Sequence, residues 1–388
     1  MGLGAQALSG AAAMSARGSR ILGLDLVRSA SLLLVIADHS AEVIGWAWPT
    51  PRLMMNVAGN FSVELFLSLS GFLIGRLLLQ IPAGPGAGAG TRLFLVRRWL
   101  RTLPNFYFYF VLFALVQPPV NLATAFFLQR FFPGQPQGFF TVAWTLAMEE
   151  WFYLLFPLLA LVTNALFPRW DRRRIMLWTA VAAIILPCAA RYAVLHWQLY
   201  SDTLVGELTF VRHPILRFDC CAYGVLLAAV LAGRRERGLP ILRRLTVPGA
   251  LLLSALPLLL FGALFIMLVE ADPAFLARVD FPAWAFFYFT FSYPLMDCAA
   301  TGFIAVAYLA GPALRPWPAF LVEGLSRLSY SLYLSHTLVN FLWIDSFARF
   351  GSWGAVGLRL VLALLLANLT YRLVELPFLR LRDRYFPA

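Results

Sequence analysis

The sequence contains no lysine and only four cysteines, and just 13% of its 388 residues are charged. Soluble domains are about one-quarter charged and about half apolar, whereas this chain is 61% hydrophobic. The shortage of charge excludes an ordinary soluble protein and identifies an integral membrane protein. Segments of about ten residues with alternating polarity are also missing, which excludes an outer-membrane barrel. The apolar runs are instead long enough for helices that cross a bilayer. Cys188, Cys220, Cys221 and Cys298 show no metal spacing and read as free thiols in apolar surroundings. No Gly-x-Ser-x-Gly elbow, His-Glu-x-x-His or His-x4-Asp motif occurs, so neither a metal nor a serine nucleophile has support. No polar stretch can hold a soluble domain of about 100 residues, which puts the chemistry within or at the edge of the membrane.

All 31 basic residues are arginine, and against 19 acids they leave a net charge of +12. Such a charge can mark a nucleic-acid binder. Here the arginines cluster at the ends of apolar runs, so the expected partner is the lipid bilayer and not nucleic acid. Runs of about twenty apolar residues predict an all-α bundle of about ten spans, near 22–44, 57–79, 102–118, 145–167, 175–195, 214–232, 246–269, 284–310, 328–348 and 354–374. Asn121 to Phe132 is too short to cross and is expected at the outer surface.

With the N-terminus in the cytoplasm, the inner side receives Arg17, Arg20, the Arg92–Arg101 cluster, Arg169–Arg174, Arg234–Arg244, Arg380, Arg382 and Arg384. The outer side receives only Arg52, Arg130, Arg191, Arg212, Arg278 and Arg349. The positive-inside rule favours this orientation, with both termini cytoplasmic. The expected organisation is a flexible tail over 1–19, a membrane domain over 20–377 and a basic cytoplasmic tail over 378–388. The tail shows no cleavable signal pattern, Gln6 stands where myristoylation wants Ser or Thr, and Met14 is an alternative start. Gly84–Gly90 lacks the preceding strand and the Lys-Ser/Thr ending of a phosphate loop, so it reads as a flexible linker. Gly71 and Gly75 read as a helix-packing surface.

Ionisable residues inside spans are costly and mark functional sites. Arg28 and His39 lie eleven residues apart in the first span, almost three helical turns, and share one face about 16 Å apart along the axis. Glu64 in the second span is expected to face the bundle interior or its outer end. Arg98 and Arg101 are i and i+3, readable as membrane anchoring or as a guanidinium fork for phosphates. Glu149 and Glu150 open the fourth span, where they favour the helix dipole or form an acid-base pair. Tyr153 is placed to share a site with Glu150. In the ninth span Ser329, Tyr333 and His336 occupy one face, and a lone histidine there is usually an interhelical donor. His196 and His213 look like interface residues. Arg217 and Asp219 are expensive within the sixth span unless paired.

Together these segments resemble the acyltransferase-3 family of multi-span membrane O-acyltransferases, from about Leu22 to Pro377. The resemblance rests on Leu24-Asp25-Leu26-Val27-Arg28 with His39, Ser68 to Ile74, Arg97 to Arg101 ahead of Pro104, Trp144 to Tyr153 with Pro157, Ser326 to His336, and Glu375-Leu376-Pro377. It implies transfer of an acyl group, acetyl in many members, from coenzyme A to a hydroxyl of a carbohydrate, glycolipid or other exported molecule. It implies Arg28 and His39 as the essential pair and Arg98 with Arg101 as the acyl-CoA motif, with no metal. Glu64 stands where Asp is commoner, and the chain stops at Ala388 without the fused esterase-like domain of some relatives.

On this reading His39 is the base or acyl relay. Arg28 guides the donor or polarises its carbonyl, and Glu149, Glu150 or Asp38 holds the imidazole tautomer. Glu150 joins His39 and Arg28 as a catalytic candidate, while Glu64, Glu149, Tyr153, Ser329, Tyr333 and His336 are candidates for substrate or structural support. The arginine-, alanine- and leucine-rich usage points to a bacterial inner membrane. A transporter or flippase is the second reading, and a structural subunit the third. A further enzyme alternative is the separate membrane-bound O-acyltransferase family, with His336 and Asn340 as its central pair. Acceptor, acyl length and oligomeric state are open at this point.

Overall fold

A computed structural model describes residues 21–44, 49–131, 138–196, 212–235, 247–271, 283–311, 319–343 and 351–387. The 1–19 tail, the choice between Met1 and Met14, Arg237–Arg244, Arg278 and Arg349 lie outside the described residues. So do the side chains of Arg52, Arg234 and His196. The described residues are helical and contain no strand. The long helices are α1 (Leu22–Ile44), α2 (Pro49–Leu78), α3 (Ala87–Val116), α4 (Ala143–Leu166), α5 (Arg172–His196), α6 (Asp219–Arg235), α7 (Val247–Ala271), α8 (Ala283–Ala310), α9 (Ala319–Trp343) and α10 (Gly351–Thr370). A π-helical turn, Tyr371–Glu375, joins α10 to α11 (Leu376–Tyr385).

Among the described residues, six helical stretches are long and apolar enough to cross a membrane by themselves: Val57–Leu78, Ala87–Val116, Ala143–Leu166, Arg172–Val194, Ser292–Ala310 and Trp353–Tyr385. The absence of α1 from this set has a clear cause. Asp25, Arg28, Asp38 and Glu42 interrupt its apolar sequence.

Two boundaries differ from expectation. The third helix starts at Ala87, so Arg92, Arg97, Arg98 and Arg101 are helical residues, not a loop ahead of residue 102. Arginine is a good helix former, and Pro104 lies inside the helix without ending it. The Gly84–Gly90 linker is correspondingly short: Gly84 and Gly86 take left-handed conformations, and the helix begins at the next residue. The 378–388 tail is helical to Tyr385 and docks on α3, where Arg97 donates to the Phe386 carbonyl and meets Asp383 at 3.4 Å. Leu122–Phe126 forms a single 3₁₀ turn, with Leu122 and Phe126 exposed.

Small residues let α2 and α6 meet closely. A Cβ on Gly71 would lie 1.8 Å from the Cys221 carbonyl oxygen, and one on Gly224 would lie 1.9 Å from that of Ser68. Ser68 Oγ donates to the Cys220 carbonyl at 3.0 Å across this contact. Between lipid-embedded helices such packing takes the place of hydrophobic burial.

Two ion pairs tie the same region together. Arg191 on α5 donates a bidentate pair to Asp219, at 2.9 and 2.6 Å. Arg217, in the turn before α6, reaches Glu64 on α2 at 2.6 Å, off the hydrogen-bond axis, and its guanidinium carbon lies 3.6 Å from the Tyr293 ring centroid. Arg191 therefore does not belong to an outer loop: it is 1% exposed. Glu64 faces the bundle interior, and the cost of Arg217 and Asp219 is met by separate partners. Asp297 is fully buried beside them, with both carboxylate oxygens unpartnered. None of the four cysteines is in a disulfide; Cys220 and Cys221 are buried and Cys298 is exposed.

Candidate active site

Helices α1 and α9 lie side by side in the same sense. Ser326 Oγ donates to Asp25 Oδ1 at one end, and His39 meets His336 at the other. The face of α1 turned inward carries Arg28, Leu32, Val35 and His39, at i, i+4, i+7 and i+11.

At the Arg28 end are two adjoining cavities. One, of about 320 Å³, is lined by Asp25, Arg28, Arg76, Arg101, Ser326, Arg327, Tyr371 and Glu375 with apolar neighbours. The other, of about 220 Å³, is lined by Arg28, Phe66, Ser70, Arg98, Arg101, Thr102, Glu149, Ser329 and Tyr330 among others. Arg28, Leu73 and Arg101 line both. In the first cavity four guanidiniums face two carboxylates, so the space has an excess of positive charge.

Arg98 is held from α4. It donates to the Tyr153 hydroxyl, lies with its guanidinium carbon 4.0 Å from that ring's centroid, and meets Glu149 at 3.8 Å. Glu149, at i and i+4 from Tyr153, thus shares the Arg98 site with it, and Glu150 lies close enough to act on both Arg98 and Tyr153. Glu150 is buried with Oε2 unpartnered. Glu375 enters because the chain takes a π turn there: the Leu376 N–H reaches the Tyr371 carbonyl, five residues back. Pro377 next in line has no N–H to continue the ladder. Asn105 Nδ2 donates to Ser331 Oγ at 2.9 Å, and Ser331 Oγ donates to Glu375 Oε2 at 2.8 Å.

Beyond Phe66 the space narrows to about 20 Å³ between Ser31, Leu32, Val35, Val63, Phe66, Leu67, Thr145 and Tyr333. Tyr333 Oη and Thr145 Oγ1 are 2.6 Å apart, and the Phe66 and Tyr333 rings lie parallel with centroids 6.3 Å apart. Past this constriction are the two histidines. His39 Nδ1 is 2.9 Å from His336 Nε2, the ring centroids are 5.2 Å apart, and the planes are within 10°. That centroid distance is the N···N separation plus the two ring radii, so the rings meet edge to edge in one plane and are not stacked. His336 is 2% exposed.

Of the residues singled out from sequence, Arg28, Arg98, Arg101, Glu149 and Ser329 come together at the cationic cavities, with Tyr153 buried behind Arg98. His39, Tyr333 and His336 come together at the other end. Glu64 belongs to neither group. Asp25, Arg76, Arg327 and Glu375 were not singled out as site residues. Asp25, Arg327 and Glu375 lay within recognised motifs, whereas nothing local marked Arg76.

Trp144 opens α4 near Arg212, whose guanidinium carbon is 5.0 Å from the indole centroid. Burial, and then the neighbouring Arg212, draws the Arg130 guanidinium down to about 10, which leaves it charged at neutral pH. His213 is half-buried against Phe131, with ring centroids 4.7 Å apart, and burial lowers its imidazole below the ordinary value. A larger cavity of about 510 Å³ between α4 and α5 contains no ionisable side chain. Among the described residues no group of three or more His, Cys, Asp or Glu side chains is placed to hold a metal ion.

The sequence matches the Acyl_transf_3 family, described as an acyltransferase domain, over residues 21–372. The chain belongs to the acyltransferase-3 family. Neither a curated protein nor a solved structure matches it. As a member of this family with six helices among the described residues long and apolar enough to cross a membrane, the protein is a membrane acyltransferase that uses an acyl donor. The family assignment agrees with the resemblance drawn from the motifs, and the matched region takes in the histidine pair and the lining of the cationic cavities other than Glu375 and Leu379.

Proposed function

We infer that this acyltransferase carries an acyl group, acetyl in the first instance, from cytosolic acyl-CoA to a hydroxyl of an exported or surface carbohydrate or glycolipid. On this reading it crosses a bacterial cytoplasmic membrane ten times, through α1–α10, with both termini cytoplasmic. The arginine-rich ends assigned to the cytoplasm support that orientation. The observation that carries the reading is the line of Arg28, Leu32, Val35 and His39 along α1, flanked by cavities that run from a cationic chamber toward a histidine.

Coenzyme A presents a diphosphate and a 3′-phosphate, and the chamber has the complementary excess of guanidinium. The buried, unpartnered Nε of Arg98 fits an anionic ligand there. Arg98 and Arg101 bind phosphate oxygens through charge-assisted hydrogen bonds, and Glu149 with Tyr153 holds Arg98 in place. Arg28, shared by both cavities, stabilises charge on the thioester carbonyl oxygen. Glu150 is the carboxyl acid on the donor side. Ser329 lines the donor cavity, Tyr333 borders the constriction, and Glu64 supports the fold through Arg217. Transfer forms a C–O ester bond and breaks the C–S bond of the thioester. His39 takes the hydroxyl proton as general base, and the departing thiolate is protonated.

Glycan mass spectrometry of a deletion strain beside its parent tests this function. The expected result is the loss of one acyl increment, restored by the wild-type gene and not by His39→Ala present at normal membrane abundance. An unchanged glycan profile, with no acyl-CoA-dependent labelling of any carbohydrate or glycolipid, would sink it. Loss of export of an unmodified molecule would favour a transporter instead.

A further inference from the structure

The sequence offers three carboxylates as partners for the His39 ring. The structure engages Glu149 with Arg98 at 3.8 Å, sets Glu150 beside Arg98 and Thr102, and turns Asp38 toward Gly59, where an added Cβ would lie 2.2 Å from Asp38 Oδ2. The His39 nitrogen nearest α9 faces a second imidazole instead.

The hydrogen-bond chemistry of that pair is directional. His336 Nδ1 lies 3.2 Å from the Leu332 carbonyl oxygen, one turn earlier on α9. A carbonyl oxygen only accepts, so Nδ1 carries the hydrogen. A neutral imidazole has one N–H and one lone pair, so His336 Nε2 is an acceptor. At 2% exposure the ring is held neutral by the cost of burying a charge. His39 Nδ1, 2.9 Å away and with the two rings nearly coplanar, therefore donates to it. One consequence remains: the lone pair of His39 is on Nε2, the nitrogen on the opposite side of the ring from His336. The nearest ionisable side chain on the same element, Tyr333, has its hydroxyl engaged with Thr145 and does not compete for either ring nitrogen.

The geometry points to His336 as a positioning residue that fixes the His39 tautomer through a relay of Leu332 carbonyl, His336 and His39, and so presents the His39 Nε2 lone pair to the hydroxyl of the acyl acceptor. This rests on the reading of His39 as the base. It assigns to an imidazole anchored on a backbone carbonyl the work that a buried carboxylate does in a catalytic triad. The partner that this arrangement places at His39 Nδ1 is a neutral imidazole, which orients the base through a hydrogen bond.

The test compares His336→Leu with His336→Gln at matched membrane abundance, measuring kcat and the KM for acetyl-CoA. Loss of the correct tautomer in a triad costs about 10⁴ in rate, and with a neutral imidazole as the orienting group a fall of about a hundredfold or more in kcat is expected for His336→Leu, with donor KM within about twofold. His336→Gln, whose amide oxygen accepts from His39 Nδ1, should recover to within about tenfold of wild type. Full kcat in His336→Leu, or equal impairment of both variants, would overturn the assignment. The ¹⁵N shifts of the His39 ring in the wild-type protein test it without any substitution at His336: hydrogen on Nδ1 is expected, and hydrogen on Nε2 refutes it. His39→Ala separates the two ideas. If it is inactive while His336→Leu is unimpaired, only the relay fails; if it is active, the base reading itself fails.

Discussion

Replacing one or both members of the Arg191–Asp219 pair tests whether the interior is held by matched charges. The two side chains are 1% and 0% exposed and share two hydrogen bonds, of 2.9 and 2.6 Å. Arg191→Leu strands a buried carboxylate, and Asp219→Leu strands a buried guanidinium. Each should cost about 3–5 kcal/mol, because the remaining charge loses its partner and has no water. At about 1.4 kcal/mol per tenfold, the unfolded fraction rises roughly a hundredfold to a few thousandfold. The double variant removes both charges and leaves the net charge of the Glu64, Arg217 and Asp297 neighbourhood unchanged. Buried pairs replaced by apolar residues are often neutral or stabilising, so it should be close to wild type. Unfolding in mixed detergent, followed by tryptophan fluorescence, would supply the full cycle. Additive single losses in the double variant would refute the argument, since they would mean that neither charge depends on the other.

Two further outcomes follow from packing. Gly71→Ala forces a methyl into the Cys221 backbone and should destabilise by about 1–3 kcal/mol, read as a lower midpoint in the same unfolding assay, whereas Gly88→Ala, with nothing within 4 Å, should not. Phe66→Ala opens the constriction between the cationic cavities and His39 and admits water to the donor; hydrolysis of acetyl-CoA without acceptor should rise severalfold, and an unchanged rate would count against the passage.

The helical positions were legible because hydrophobic runs of about twenty residues are a strong local signal. The third helix ran longer than its apolar core, because Arg92 to Arg101 are helix formers whose polarity masks the helix when only hydropathy is read. Arg28 and His39 on one face followed from periodicity alone, and the Arg98 and Arg101 fork from their spacing. What spacing does not carry is the partner of each charge. Arg217 and Asp219 are two residues apart yet pair with Glu64 and Arg191, on other helices. His336 was visible as a lone histidine on the Ser329–Tyr333 face, but its contact with His39 is separated by 297 residues and depends on how α9 packs against α1. Glu375 reaches the cavity through a π turn, a one-residue slip that no helical periodicity anticipates.

The central claim is that one end of this path binds the donor and the other activates the acceptor. Its most direct test is acetyl-CoA binding and acetyl transfer measured side by side on purified protein in lipid nanodiscs. Charge-assisted hydrogen bonds contribute about 1.5–3 kcal/mol each, so Arg98→Gln with Arg101→Gln should weaken donor binding by roughly a hundredfold or more. His39→Ala should bind acetyl-CoA within about twofold of wild type and transfer nothing to the glycan acceptor. Normal donor affinity in the double arginine variant, or normal transfer by His39→Ala, would contradict the account.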